Sequence, residues 1–171
     1  YDLLLVGESS LVTQLQKEAE EFGVELLTLE AAKAKFAATK LIPHNLPALP
    51  AFFVGRESEV NVICNLLEKD HRLVTLLGPG GVGKTRLALE VAHQVLKRRG
   101  FEDGVFFIPL AAINNPALVL PTIAQILGVA EEATKTALAS LASALKDKHV
   151  LLVLDNLEQI ISAATAIAEL L

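Results

Sequence analysis

The sequence predicts a three-layer α/β fold, in which helices cover both faces of a parallel sheet. Short apolar runs alternate along the chain with longer segments of helical periodicity. A glycine-rich turn joins one apolar run directly to a helix, and a later apolar run ends in an aspartate. Strands that alternate with helices favour a parallel sheet that is buried on both faces.

Residues 1–40 are predicted to form a β-α-β appendage or the tail of a preceding α/β domain. Asp2–Val6 and Val24–Leu29 are apolar runs typical of strands, and the residues between them have helical periodicity. Three prolines then fall within residues 41–50, and prolines at this density favour an extended linker. We therefore predict that the principal domain spans residues 51–171, and we expect it to be incomplete at its C-terminus.

Two helices are predicted on either side of the next apolar run, Leu73–Leu77, which is itself predicted to be a buried strand. The first helix follows from the spacing of Val60, Cys64 and Leu67 on one helical face. The second begins after the glycine-rich turn and ends at Gly100, behind basic residues that suit a helix C-terminus.

The turn between this strand and the second helix carries the residues of a phosphate-binding loop. Gly78, Gly83, Lys84 and Thr85 match the pattern G-x-x-x-x-G-K-[ST]. Glycines let the backbone approach an anion, so that the N–H groups of the loop and of the helix N-terminus point at phosphate oxygens. Lys84 can reach the β- and γ-phosphates, and the Thr85 hydroxyl can ligate Mg²⁺. The alternative is a glycine-rich turn with a surface lysine. The predicted nucleotide-binding residues of the loop are Gly78, Gly80, Gly81, Val82, Gly83, Lys84, Thr85 and Arg86.

The elements after the loop continue the alternation. Val105–Ile108 is predicted to be a buried strand, and Pro116 is predicted to start a helix that Gly128 closes. Glu131 is predicted to open another helix, because acids are favourable in a first turn.

An apolar strand followed by a carboxylate is the second chemical motif. In Val150–Asp155 the acid stands at the carboxyl end of the predicted strand, which is where open α/β sheets bind their ligands. Asp155 can therefore hold Mg²⁺ together with Thr85. Asn156 cannot serve as a general base. Glu158 is a candidate base for hydrolysis, or a solvated residue at a helix start.

Composition limits which binding partners and which cellular compartment are expected. The net charge is −5 and the chain has no long basic tract, so we expect no nucleic-acid binding by this segment. A single cysteine is compatible with a reducing cytosol. No apolar run reaches the length of a membrane span, and the first residues lack the charged start of a signal peptide. We expect a cytoplasmic protein with no membrane partner.

Four motifs follow one another along the chain, namely Asn45–Pro47, Phe53–Glu57, Gly78–Thr85 and Leu151–Glu158. Their order resembles the STAND class of signalling ATPases, over about Leu46–Leu171. Within that class the chain is similar to bacterial regulators that couple an NB-ARC-like ATPase to helical repeats, and often to a DNA-binding or cyclase domain. The resemblance implies a truncated P-loop NTPase fold.

The resemblance also implies roles for individual residues. Val54, Gly55 and Arg56 would line the adenine and ribose side of an ATP or ADP site. The loop from Gly80 onward would wrap the phosphates, Lys84 and Asp155 would act in catalysis, and Asp155 would hold Mg²⁺. In the family a further strand, with a phosphate-sensing arginine, inserts beside the glycine-loop strand, and we expect it beyond Leu171. Asn156 replaces the second acid of plant and animal relatives, which puts efficient hydrolysis in doubt.

Three functions from different classes are compatible with these residues. The first is an ATP/ADP switch of a signalling or transcription regulator, with slow Mg²⁺-dependent hydrolysis and with protein partners or self-association through other domains. The second is a constitutive P-loop ATPase that drives remodelling or transport. The third is an interaction domain with a vestigial loop, which the intact Lys84 and Thr85 disfavour. Multiple turnover separates the first two, because a switch retains nucleotide and a motor releases ADP quickly.

Overall fold

The computed structural model describes residues 6–7, 27–28, 41–49, 55–69, 71–130 and 134–170. The chain divides into two compact units, residues 1–41 and residues 42–171. In the first unit β1 (Val6–Gly7) and β2 (Leu27–Thr28) pair in parallel. The helix predicted between these two strands lies outside the described residues.

The second unit contains the α/β domain. Of its helices, none in the described part of the chain is long and apolar enough to cross a bilayer. Its elements, in chain order, are α1 (Glu57–Glu68), α2 (Lys84–Arg98), β3 (Gly104–Pro109), a 3₁₀ turn (Pro116–Leu118), α3 (Val119–Leu127), α4 (Ala137–Leu145), β4 (Val150–Asp155), a 3₁₀ segment (Leu157–Ala163) and α5 (Ala164–Ala168).

The sheet of this unit is the parallel pair β3–β4. Its register runs from Gly104 opposite Val150 to Pro109 opposite Asp155. Successive strand residues point to opposite faces, so each strand contributes to two cores. On one face Val105, Leu151 and Val153 pack with apolar residues of α1 and α2. On the other face Ile108, Leu152 and Leu154 pack with α3, α4 and the 3₁₀ segment. The predicted three-layer α/β fold is confirmed.

The prediction of a buried strand at Leu73–Leu77 is wrong for this structure. Residues 73–79 carry no regular secondary structure. Leu73 is 65% exposed and Leu77 is 89% exposed. Among the described strands of the second unit β3 pairs with β4, and Leu73–Leu77 pairs with neither. An apolar run with β propensity becomes a strand only when a neighbouring strand satisfies its backbone N–H and C=O groups.

Helix boundaries follow their local capping residues. Asn115 accepts a hydrogen bond from the Ala117 N–H at the predicted start near Pro116, and Gly128 closes α3 with a φ of 67°. The helix predicted to open at Glu131 begins instead at Ala137. The reason is that Thr136 caps it, accepting from the Ala139 N–H at 3.2 Å.

The proline-rich segment is extended and docked along the outer edge of β3. The Val105 N–H donates to the Pro43 carbonyl at 3.0 Å. The Asn45 side chain accepts from the Phe107 N–H at 2.7 Å and donates to the Phe107 carbonyl at 2.8 Å. These bonds occupy backbone groups at the edge of β3 that no described strand pairs with, so main-chain and side-chain groups of the segment close this edge.

Candidate nucleotide site

The glycine loop has the backbone conformation that its glycines permit. Gly81 and Gly83 have φ values of 81° and 85°, in the left-handed region that disfavours other residues. A Cβ placed on Gly80 or Gly81 would meet no heavy atom within 4 Å, so the space beside the loop is open. The loop backbone is therefore accessible to a ligand at these positions.

The N-terminus of α2 is left without a side-chain cap. Gly83 is its N-cap residue, no side chain accepts from the first-turn N–H groups, and the first turn contains no acidic residue. The first N–H groups of a helix have no partner within the helix, and the helix dipole favours an anion at this end. An anion such as a phosphate group would satisfy these donors.

The Lys84 side chain folds back onto the start of the glycine loop. Its Nζ donates to the Gly78 carbonyl at 2.9 Å and to the Pro79 carbonyl at 3.2 Å. Both acceptors belong to the loop that precedes α2, so the ammonium is held at the loop by main-chain oxygens. A positive charge at this position complements a bound polyphosphate.

Thr85 and Asp155 connect α2 to the carboxyl end of β4. The Thr85 Oγ1 donates to the Asp155 Oδ1 at 2.7 Å. The Leu110 N–H donates to the Asp155 carbonyl at 3.0 Å, which fixes the end of β4 to the residue that follows β3. A hydroxyl and a carboxylate in contact are oxygen ligands of the kind that Mg²⁺ prefers. The two residues therefore fit a Mg²⁺ ion bound together with phosphate oxygens. The described residues contain no cluster of three or more His, Cys, Asp or Glu that could hold a metal.

The Gly55-Arg56 turn contacts the glycine loop. Gly55 has a φ of 86°, and Arg56 is the N-cap residue of α1. The Arg56 Nη1 donates to the Val82 carbonyl at 3.0 Å, and its Nε donates to the Glu59 Oε1 at 3.0 Å. Val54, predicted on the adenine side with these two residues, lies outside the described residues. Arg56 thus bonds to the backbone of the loop, whereas the resemblance implies a place for it beside adenine and ribose.

Glu59 is the residue at this site that sequence reasoning missed. Its carboxylate accepts from Arg56, and this hydrogen bond lowers the pKa of Glu59 below its usual value. The available signal is the spacing of Arg56 and Glu59, because residues three apart are neighbours on a helix surface.

The remaining predicted site residues lie at the edge of the site. Arg86 is half-buried in the first turn of α2. Asn156 has a left-handed φ of 64° and starts the 3₁₀ segment, and Glu158 is exposed in its first turn. Glu158 makes no hydrogen bond or ion pair with a described residue that would orient its carboxylate towards the loop. Its role as a general base therefore stays a prediction.

The chain matches a known family and several regulators. A family model described as an AAA domain matches residues 67–171. Regulatory protein AfsR of Streptomyces coelicolor is 32% identical over 160 residues, which cover 84% of this chain and 16% of that protein. A Mycobacterium tuberculosis protein that carries the name of an HTH-type transcriptional regulator is 39% identical over 97 residues, covering 57% of this chain and 10% of its own length.

An uncharacterized Mycobacterium tuberculosis protein is 38% identical over 117 residues, which cover 68% of this chain and 29% of that protein. The chain thus spans less than a third of the length of these curated relatives. No solved structure matches it significantly.

Proposed function

The chain belongs to the AAA domain family of P-loop NTPases, and from that premise we propose that it is the ATP/ADP-binding switch module of a cytoplasmic signalling or transcription regulator, with slow Mg²⁺-dependent ATP hydrolysis. The observation that supports this most strongly is the geometry at the start of α2. An uncapped helix N-terminus, a glycine loop, Lys84 and the Thr85–Asp155 pair converge there.

Each of these groups has one task in the proposal. Open loop amides and the first N–H groups of α2 bind the phosphates. Lys84 gives up its bonds to the Gly78 and Pro79 carbonyls and pairs with the β- and γ-phosphates. Thr85 and Asp155 would hold Mg²⁺, whose charge would offset that of the phosphates.

The regulator context comes from the order of motifs and from the relatives. The match to regulatory protein AfsR covers 84% of this chain, and a second relative carries the name of an HTH-type transcriptional regulator. These names support a nucleotide-binding module inside a longer regulator. We assign the module to the STAND class with an NB-ARC-like ATPase, on the motifs between Asn45 and Glu158. Its protein partners would then act through other domains of the same polypeptide.

A constitutive P-loop ATPase that drives remodelling or transport is the competing function. Asn156 follows the Mg²⁺-binding acid and offers no general base, and Glu158 is exposed without a described contact that orients it. Slow hydrolysis follows from a site that binds the phosphates well and activates water poorly. These features favour a switch over a motor.

The first experiment tests nucleotide binding. We expect the wild-type chain to bind ATP and ADP, and Lys84→Ala to lose this binding while its circular dichroism and melting temperature stay unchanged. Lys97→Ala is the matched control, because Lys97 lies in the last turn of the same helix. Equal ATP affinity in Lys84→Ala and in the wild type would contradict the assignment.

The second experiment separates the switch from the motor. Release of labelled ADP and steady-state phosphate production are measured on the same sample. A switch shows ADP release that is as slow as turnover, so that most of the protein holds ADP. Rapid ADP release with many turnovers per minute would favour the motor.

A further inference from the structure

We infer that Arg56 and Glu59 form a tether that orients the Val82–Gly83 peptide of the glycine loop, and that Arg56 acts on phosphate binding through this peptide. The inference rests on the proposed nucleotide site. It assigns Arg56 a positioning role, in place of a contact with adenine or ribose. It also assigns a function to Glu59.

The geometry of one peptide unit carries the argument. Arg56 holds the Val82 carbonyl through its Nη1 at 3.0 Å. No described peptide bond is cis, and in a planar trans peptide the carbonyl and the following N–H point in opposite directions. The Gly83 N–H must therefore point away from Arg56. This amide is the last one of the loop before α2, where an anion would bind.

The tether matters because a glycine stands on one side of this peptide. Rotation of the Val82–Gly83 peptide changes ψ of Val82 and φ of Gly83, and Gly83 lies in the left-handed region. Glycine reaches the alternative φ values at little steric cost, so Gly83 adds no side-chain barrier to that rotation. A rotated peptide would present its carbonyl oxygen to the phosphates in place of its N–H. The bond from Arg56 opposes that rotation.

Glu59 fixes the direction of the guanidinium. It accepts from the Arg56 Nε at 3.0 Å, while its second oxygen accepts from the Ser58 Oγ at 3.3 Å. The two side chains are 35% and 45% exposed, so solvent shields the pair only in part. A planar guanidinium can donate from Nε and from Nη1 at once, which a lysine ammonium at the same position cannot reproduce.

The chain offers a matched control on the same two helices. Arg98 of α2 donates to Glu68 at 3.1 Å and to Asn61 at 3.2 Å, both on α1. Its side chain and that of Glu68 are 39% and 42% exposed. The Arg98 pair is therefore close to the Arg56 pair in residue types, distance and exposure, and these two hydrogen bonds of Arg98 go to α1 and not to the glycine loop.

The test compares Mg·ATP with inorganic tripolyphosphate, which has the phosphates and lacks the nucleoside. In Arg56→Gln we expect the Kd of both ligands to rise by the same factor, about tenfold. Glu59→Gln should raise both by a smaller common factor, and Arg98→Gln should change neither. Melting temperatures show that each variant is folded. If Arg56→Gln fails to fold, Arg56→Lys replaces it, with an intermediate loss expected for both ligands.

Two results would overturn the inference. One is a loss that affects ATP and leaves tripolyphosphate unchanged, because Arg56 would then contact the nucleoside. The other is wild-type affinity for both ligands in Arg56→Gln. If the wild type binds both ligands and Lys84→Ala does not, the proposed function survives either result. If the wild-type chain binds neither ligand, the proposed function and the inference fail together.

Discussion

The two apolar segments that lead into the candidate site, Leu73–Leu77 and Val150–Leu154, are held in different ways. The second is β4, whose residues pair in register with β3 and are half-buried between two layers of helices. The first has a similar composition, but it has no ladder partner among the described residues. Its Leu77 is 89% exposed, immediately before the glycine loop.

The difference shows which contacts build the site. The loop keeps its left-handed glycines and the bonds of Lys84 although the segment before it is unpaired. The contacts that position the loop are the packing of α2 in the core and two side-chain hydrogen bonds. Leu87 and Val91 pack α2 into the core that it shares with β3 and β4. Thr85 bonds to Asp155, and Arg56 bonds to Val82.

Core substitution should give the largest contrast between the two regions. Leu110 follows β3 and is fully buried, whereas Leu77 is exposed. We expect Leu110→Ala to cost about 2–5 kcal/mol of unfolding free energy, because it removes buried apolar atoms and leaves a cavity. Leu77→Ala should stay within about 0.5 kcal/mol of the wild type. Urea denaturation measures both. A comparable loss for Leu77→Ala would mean that this segment is buried in solution.

Removal of the link between α2 and β4 should have the next largest effect. Thr85→Ala deletes the hydroxyl that bonds to Asp155 and that would ligate Mg²⁺. We expect it to weaken Mg·ATP binding by about 1.5–3 kcal/mol, the range for hydrogen bonds to charged groups. ATP binding in EDTA should change much less. Titrations with and without Mg²⁺ test this, and Thr165→Ala on α5 is the control. Equal losses in both conditions would remove Thr85 from the metal site.

The docked segment at the outer edge of β3 should give the smallest of the three effects. Asn45 makes two hydrogen bonds to the Phe107 backbone, and it is exposed. Asn45→Ala should destabilise the chain by about 1 kcal/mol and leave ATP affinity unchanged. Thermal unfolding and ATP titration check the two parts. A large drop in ATP affinity would show that the edge of β3 supports the site directly.

Local signals in the sequence predicted most of the fold and of the candidate site. The strand Val150–Asp155 has the predicted bounds, and Gly128 closes the predicted helix. The glycine loop followed from a short pattern, and the structure joins its Thr85 to the predicted Asp155. In these cases hydrophobic periodicity and residue type are sufficient, because the information lies within a few neighbouring residues.

The features that the sequence did not predict depend on contacts between distant residues. Whether Leu73–Leu77 forms a strand depends on a partner that its own residues do not encode. Asn45 bonds to a residue 62 positions away, and Arg56 to one 26 positions away. Composition identified Asn45 only as part of a linker, and the resemblance assigned Arg56 to the adenine and ribose side of the nucleotide. Pairings at such distances depend on the assembled fold.

Residue-resolved titration of the glycine loop would test the central claim most directly. The claim is that α2, β4 and Arg56 hold the loop ready for phosphates although the segment before it is not paired in the sheet. ¹⁵N–¹H spectra of the chain are recorded while Mg·ATP is added. The account predicts large, saturable shifts for the amides of Gly81, Gly83, Lys84 and Thr85, and small shifts for β3. Saturable ATP binding that leaves these four amides unmoved would contradict it.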